Sequence, residues 1–157
     1  MKTRKIILVT ITAILTIFII NGCTKDNNAF RLDNISHSDC KNTKKSVAVN
    51  QSSDEKEVIE IKADQQYLNI KHVNVYFSCE PGKLTADAVL NDTVVTISEA
   101  EQKHDVDCIC PFDLNYRIGP LAYGKYYFVF MRGAMEYTHF TVDFHAKLDT
   151  VIEINPN

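Results

Sequence analysis

Alternation of apolar and polar residues dominates the chain from Val58 onward and restricts its fold more than any other feature. Val, Ile, Tyr, Phe and Thr are frequent there, and only short gaps separate the alternating segments. A period of two residues is typical of strands with one buried face, whereas no long helical period appears. The sequence therefore predicts an all-β domain over residues 57–157.

Eight segments of this alternation are long enough to form strands. In the segment 83–90, for example, every second residue is apolar and most of the residues between them are polar, as expected of a strand with one solvated face. The predicted strands cover residues 58–62, 67–78, 83–90, 93–98, 108–118, 125–131, 135–144 and 150–154.

Strands of this number and length favour an immunoglobulin- or fibronectin-like antiparallel β-sandwich of about seven to eight strands. A small closed barrel is the alternative architecture. Residues 91–92 predict a two-residue turn that pairs Leu90 with Thr93 and turns Thr93 inward. A slip in the alternation near residues 71–72 predicts a β-bulge.

A packing motif of such sandwiches is suggested by Tyr126, which follows Leu121 and Gly124. This order resembles the tyrosine corner, in which a tyrosine hydroxyl bonds to the backbone upstream. We therefore expect the Tyr126 hydroxyl to do the same and assign these three residues a structural role.

The N-terminus resembles a lipoprotein signal peptide. Three basic residues precede a largely apolar stretch over residues 6–20, which ends at Ile20-Asn21-Gly22-Cys23. This stretch is shorter than the roughly 20 residues that a membrane-spanning helix needs, so it favours a cleaved signal over residues 1–22. The lipobox predicts acylation of Cys23, palmitate included. It places the mature chain in the bacterial cell envelope, with the outer membrane expected and neither its periplasmic nor its surface side favoured.

Residues 23–56 lack a sustained period of either helix or strand. They are rich in Asn, Ser, Lys and Asp, and their large apolar residues, Phe30, Leu32 and Ile35, look too sparse to form a core. Such a composition is typical of flexible linkers. We therefore expect a disordered tether between the acylated Cys23 and the sandwich.

The charge balance argues against a nucleic-acid partner. Of the 17 basic residues, three lie within residues 1–22, which contain no acidic residue, so 14 basic residues face 20 acidic ones and the mature net charge is −6. Nucleic-acid binding needs a basic face. The chain also lacks a Gly-x-Ser-x-Gly elbow and a phosphate-binding loop, so we expect neither an enzyme nor a cofactor.

Four cysteines remain once Cys23 is acylated: Cys40, Cys79, Cys108 and Cys110. They allow three complete pairings, and an oxidising compartment favours disulfides. Cys79 ends one predicted strand and Cys108 begins another, so we expect a bridge between them, with Cys79–Cys110 nearly as favourable. Cys40 is then available for the remaining thiol.

A soft-metal site is the alternative interpretation of these cysteines. The Cys108-x-Cys110 pair presents two thiolates on one face of a strand, and Cys79, His104 and Asp107 are the further candidate ligands. Thiolates and imidazole suit tetrahedral zinc or copper(I).

Three motifs, together with the lipobox, resemble those of a group of small uncharacterised lipoproteins from Bacteroidales-type gut bacteria. The motifs are Asn74-Val75-x-Phe77-x-Cys79-x-Pro81-Gly82-Lys83, Cys108-x-Cys110-x-Phe112-Asp113-Leu114-x-Tyr116-x-Ile118-x-x-Leu121 and Gly124-x-Tyr126. The resemblance implies envelope anchoring and a β-sandwich, and it implies no reaction.

The same resemblance implies O-glycosylation, because such bacteria modify Ser or Thr that follows Asp and precedes an apolar residue. Thr93 and Thr150 lie in such sequences. The predicted hairpin turns Thr93 inward, so Thr150 is the better candidate.

Taken together, these features predict a non-enzymatic envelope lipoprotein. Its lipid anchor on Cys23 contacts the membrane, and its β-sandwich binds a protein or glycan partner. The alternatives are a lipoprotein that binds zinc or copper through Cys108 and Cys110, and a protease-inhibitor-like module that presents a sandwich loop.

Overall fold

The computed structural model describes residues 29–41, 56–102 and 107–154. Nine strands lie in these residues, and each of the eight predicted strands matches one of them to within three residues at either end. None of the described residues forms a helix with the length and apolar character needed to cross a bilayer. The strands are β1 Arg31–His37, β2 Val58–Asp64, β3 Tyr67–Ser78, β4 Leu84–Asn91, β5 Val94–Glu101, β6 Ile109–Gly119, β7 Gly124–Arg132, β8 Met135–Phe144 and β9 Asp149–Glu153.

The strands form two sheets. A five-stranded sheet has the order β1-β6-β3-β2-β9, and a four-stranded sheet has the order β4-β5-β7-β8. Buried side chains from both sheets form a single hydrophobic cluster, which confirms the predicted all-β sandwich. Strand pairs are antiparallel except β5 and β7, which run parallel because β6 crosses to the other sheet between them.

Aromatic side chains supply much of the core. Phe128 and Phe130 are almost fully buried on β7, and each stacks on Phe140 of β8, with ring centroids 5.8 and 5.6 Å apart. Ile61 and Leu68 approach from the five-stranded sheet and are completely buried. Burying such a side chain stabilises the fold by roughly 1.5–3 kcal/mol, so the inward alternation is the main force that holds the two layers together.

The prediction of a disordered tether over residues 23–56 is wrong for one segment, because Arg31–His37 forms β1 at the edge of the five-stranded sheet. This strand pairs with β6, with Leu32 opposite Ile118. Phe30 and Leu32 pack against the hydrophobic core. An edge strand needs few apolar residues when an existing strand provides its backbone partners, so the sparse apolar pattern is sufficient here.

Other predicted N-terminal features lie outside the described residues. These are the signal peptide, Cys23, and the parts of the predicted tether before residue 29 and between residues 42 and 55.

The β4–β5 hairpin differs from its predicted register. Asn91 pairs with Val94 and Leu90 with Val95, so residues 92–93 form the turn, and Asp92 has a φ of 52°. Aspartate tolerates this left-handed conformation because its short side chain bonds locally. A shift of two residues keeps every side chain of the strand on its predicted face.

The predicted bulge in β3 is confirmed, and it lies slightly further along the strand than expected. The register between β3 and β6 shifts between His72 and Val75, and Asn74 adopts a φ of 59°. The Asn74 side-chain amide donates to the Lys56 carbonyl at 3.0 Å, which ties the bulge to the residues that precede β2.

The predicted tyrosine corner is also confirmed. The Tyr126 hydroxyl donates to the Ala122 carbonyl at 2.9 Å, and Leu121 is buried beside it. This bond fixes the approach of the chain to β7.

Candidate functional site

Two disulfides join the four cysteines of the described residues. Cys79 pairs with Cys108, as predicted, and Cys40 pairs with Cys110. The first bridge links the end of β3 to the residue before β6, and the second links the segment after β1 to β6. By the loop-entropy model, closing loops of 29 and 70 residues stabilises the fold by about 3–4 kcal/mol each.

The predicted metal-ligand set is only partly brought together. The sulfurs of Cys79 and Cys110 lie within 4.8 Å of each other, and the third sulfur within that distance is that of Cys40. Asp107 is exposed, and His104 lies outside the described residues. Sequence reasoning placed Cys40 in the tether, so it missed that β1 brings this thiol to the cluster.

A buried ionic cluster, absent from the sequence predictions, lies between the sheets around His72. Its side chain is fully buried, with Nε2 at 2.8 Å from Glu57 Oε1 and Nδ1 at 2.8 Å from Glu99 Oε2. The Tyr116 hydroxyl donates to the other Glu99 oxygen at 2.8 Å, and the Tyr137 hydroxyl donates to Glu57. Both carboxylates therefore accept bonds at both oxygens.

Charge pairing holds this cluster ionised. Burial opposes the charge of His72, but the two flanking carboxylates outweigh it and raise the His72 pKa to about 9. Burial also opposes the charge of Glu57, yet hydrogen bonds from His72 and Tyr137 and the charge of Arg132 leave the Glu57 pKa below its usual value. Arg132 Nη2 lies 2.9 Å from Glu57 Oε1.

The buried cluster joins the two layers of the sandwich. Glu57 and His72 belong to the five-stranded side, whereas Glu99, Arg132 and Tyr137 come from the four-stranded sheet. Its hydrogen bonds are directed inward, and His72 exposes no surface to a substrate. The hydrogen bonds of His72 therefore clamp the two layers together.

An accessible polar site lies on the outer face of the five-stranded sheet, which we call the outer groove. It has a volume of about 380 Å³ and crosses all five strands. The strand register places two rows of side chains along it. The first row is Asp33, Arg117, Asn69, Lys62 and Asp149, and the second is Ser36, Asn115, Lys71, Glu60 and Val151.

The charged side chains of the outer groove are paired with one another. Arg117 Nε lies 3.0 Å from Asp33, and its guanidinium covers the Tyr67 ring at 4.4 Å. Lys62 lies 3.2 Å from Asp149. These pairs balance the charge across the groove and hold the long side chains in place, although exposed pairs add little to stability.

The asparagine side-chain amides of the outer groove have no hydrogen-bond partner among the described residues. Asn34, Asn69 and Asn115 line it, and among the described residues their side chains make no hydrogen bond. Asparagine is depleted in strands, and although the φ of 57° accounts for Asn34, strand propensity does not explain Asn69 and Asn115. Each amide offers two donors and one acceptor, which suits a ligand rich in hydroxyl groups.

The solvent exposure of the two predicted glycosylation sites differs from the exposure expected from the sequence. Thr93 is exposed in the β4–β5 turn because the hairpin register differs from the predicted one. Thr150 is half-buried within β9. The expected inward orientation of Thr93 is therefore wrong, and the choice between Thr93 and Thr150 as acceptor stays a prediction.

Searches with the chain found no matching family model, no matching curated protein and no matching solved structure.

Proposed function

We propose that this chain is a non-enzymatic lipoprotein of the bacterial cell envelope whose β-sandwich binds a glycan in the outer groove. The observation that carries this proposal is the set of side-chain amides of Asn34, Asn69 and Asn115 on one sheet face, which make no hydrogen bond within the part of the chain that the structure describes. The lipobox at Cys23 supports the envelope location, and it anchors the chain by acylation.

The chemistry of the outer groove favours a glycan over a protein. Centres of protein interfaces are depleted in charge and enriched in aromatic and apolar side chains. The groove instead presents amides and neutralised ion pairs, and Arg117 covers the face of the aromatic ring of Tyr67. Sugar hydroxyls donate and accept hydrogen bonds, so they match this surface.

The size of the outer groove fits a small ligand. Its volume of about 380 Å³ falls in the range of about 300–1,000 Å³ typical of small-molecule sites. The groove crosses the strands, so a few sugar units of a longer chain can occupy it while the rest extends past the edge strands β1 and β9.

The binding test uses the full chain and a panel of bacterial and host glycans, followed by calorimetric titration of the best ligand. We expect Asn69→Ala and Asn115→Ala each to weaken binding about tenfold, since a lost hydrogen bond that leaves its partner unpaired costs roughly 1–3 kcal/mol. Asn91→Ala is the matched control, because Asn91 is an exposed asparagine on β4 of the other sheet. Absence of binding to the whole panel, or equal losses in the groove and control variants, would contradict the proposal.

The anchoring test is separate. Labelled palmitate should join the wild-type chain, whereas Cys23→Ser should remain unlabelled and leave the membrane fraction. Unchanged membrane association of Cys23→Ser would contradict the anchoring part and leave glycan binding to its own test.

A further inference from the structure

Three of the four cysteines near the start of β6 have sulfurs that lie closer together than two independent disulfides require, and the Cys108 sulfur lies outside this group. The sulfurs of Cys40, Cys79 and Cys110 are all within 4.8 Å of one another, and the Cys108 sulfur is bonded to that of Cys79. In a tetrahedral zinc site with Zn–S bonds of about 2.3 Å, the sulfurs lie about 3.8 Å apart. We infer that, once both disulfides are reduced, these four thiols form a tetrathiolate site for a soft divalent cation such as zinc.

The backbone that presents these thiols is held independently of the disulfides. The Cys79 amide donates to the Cys108 carbonyl at 3.1 Å, and the Lys41 amide donates to the Pro111 carbonyl at 3.0 Å. Phe77 pairs with Cys110 in the β3–β6 ladder. The segments therefore keep the sulfurs near one another after reduction, and side-chain rotation alone can adjust their spacing.

The surroundings of the four cysteines allow a reductant to reach them and also shield a bound metal ion from solvent on one side. Cys110 is buried at the edge of the core, whereas Cys108 is exposed and Cys40 and Cys79 are half-buried. A reductant can therefore reach the cluster from the Cys108 side. The buried side limits solvent around the metal and favours charged thiolates only when the cation is bound.

The chemistry couples metal binding to thiol redox state. Each disulfide accepts two electrons and two protons from a dithiol reductant, which is itself oxidised to a disulfide. The four resulting thiols release four protons as their sulfurs bind one zinc ion. A disulfide oxidant reverses this: it takes two electrons from each pair of bound thiolates and, with the four protons, is reduced to thiols. The two protein S–S bonds reform and the ion is released, so the oxidised structure is the metal-free state of the site.

This ligand set differs from the one predicted from the sequence. Cys40 supplies a ligand in place of His104 and Asp107, because β1 carries it to the other three thiols. The site is also separate from the outer groove, so metal binding and glycan binding can be tested independently.

The test is an anaerobic titration of the full chain with cobalt(II), after reduction with a phosphine and removal of the reductant. We expect one equivalent of cobalt per chain, with thiolate charge-transfer bands and tetrahedral d–d bands that zinc abolishes. The oxidised chain should show none of these bands. Cys40→Ser and Cys110→Ser should each weaken binding at least about 100-fold, because even changes around metal ligands cost about 10–100-fold.

Two control variants test whether cobalt binding is specific to the four cysteines, and one spectrum tests whether the chain stays folded. Cys23→Ser and Asp107→Asn should bind cobalt as the wild type does. Far-ultraviolet circular dichroism should show β structure in the reduced, metal-loaded chain. The inference is overturned if the reduced chain lacks a stoichiometric tetrahedral spectrum, if Cys40→Ser binds as tightly as the wild type, or if the metal-loaded chain has lost its β structure.

Discussion

The buried cluster around His72 and the outer groove both collect polar side chains from several strands, but they use them in opposite ways. In the buried cluster, both oxygens of Glu57 and of Glu99 accept hydrogen bonds from side chains of the protein. In the outer groove, the amides of Asn69 and Asn115 have no side-chain partner among the described residues. Satisfied buried groups indicate a structural role, whereas the accessible amides support the proposed glycan binding.

The largest expected effect on stability comes from removing the central cation of the buried cluster. His72→Leu leaves Glu99 buried without its counter-ion and leaves Glu57 with Arg132 alone, and breaking such a buried pair costs about 3–5 kcal/mol of unfolding free energy. His139→Leu is the control, because His139 is exposed, and it should change stability by less than about 0.5 kcal/mol. Urea unfolding measures both, and equal losses would show that the cluster is not the clamp between the sheets.

Titration of the buried cluster should limit stability at both ends of the pH range. The pKa of His72 is raised from 6.5 to about 9, so its contribution is fully present below pH 6.5 and is lost as the pH rises through about 9. The pKa of Glu57 is lowered from 4.5, so its contribution is present above pH 4.5 and is lost as the pH falls through the folded-state value.

Thermal unfolding between pH 3 and pH 10 tests this prediction. The melting temperature should be highest between about pH 5 and pH 6.5 and should fall on both sides. In a variant that carries His72→Leu and still folds, the alkaline decline should disappear. A wild-type melting temperature that stays constant up to pH 10 would contradict the ionised state of His72.

Loss of one hydroxyl from the buried cluster should have an intermediate effect. Tyr137→Phe removes the donor to Glu57, and a hydrogen bond to a charged group contributes roughly 1.5–3 kcal/mol. Tyr127→Phe is the matched control on the outer face of the four-stranded sheet, and it should change stability by less than about 0.5 kcal/mol. Chemical denaturation of the two variants side by side distinguishes a clamp from general aromatic packing.

The smallest stability effect is expected in the outer groove. Asn69→Ala should alter the unfolding free energy by less than about 0.5 kcal/mol, because the Asn69 side chain is exposed and its amide is uncommitted. The same variant should bind the glycan about tenfold more weakly. If Asn69→Ala destabilises the fold as strongly as Tyr137→Phe does, the contrast between the two regions fails.

Most of the strand layout was predictable from the sequence, because alternation reports which face of a strand is buried. The bounds of Tyr67–Ser78 and Met135–Phe144 agree with the structure at both ends. The tyrosine corner at Tyr126 and the Cys79–Cys108 bridge were predictable for a similar reason, since each depends on a local motif or on the phase of a strand.

Features that depend on pairing between distant strands were not predictable. β1 was missed because its stability comes from backbone bonds to β6, about 80 residues away, and not from its own apolar residues. The buried cluster was missed because the partners of His72 come from both sheets. The outer groove was missed because its two rows appear only once the register of five strands is known.

The disulfide between Cys40 and Cys110 also determines how the domain responds to a pulling force. A pulling force applied upstream of Arg31 is transmitted through β1 and the disulfide to β6. This strand lies inside the sheet, between β1 and β3. The segment between Cys40 and Val58 stays out of the force path, so pulling from the N-terminal side would not peel β2 away from β3. A pull from that side can separate β1 from β6, but the covalent link stops the separation at Cys40.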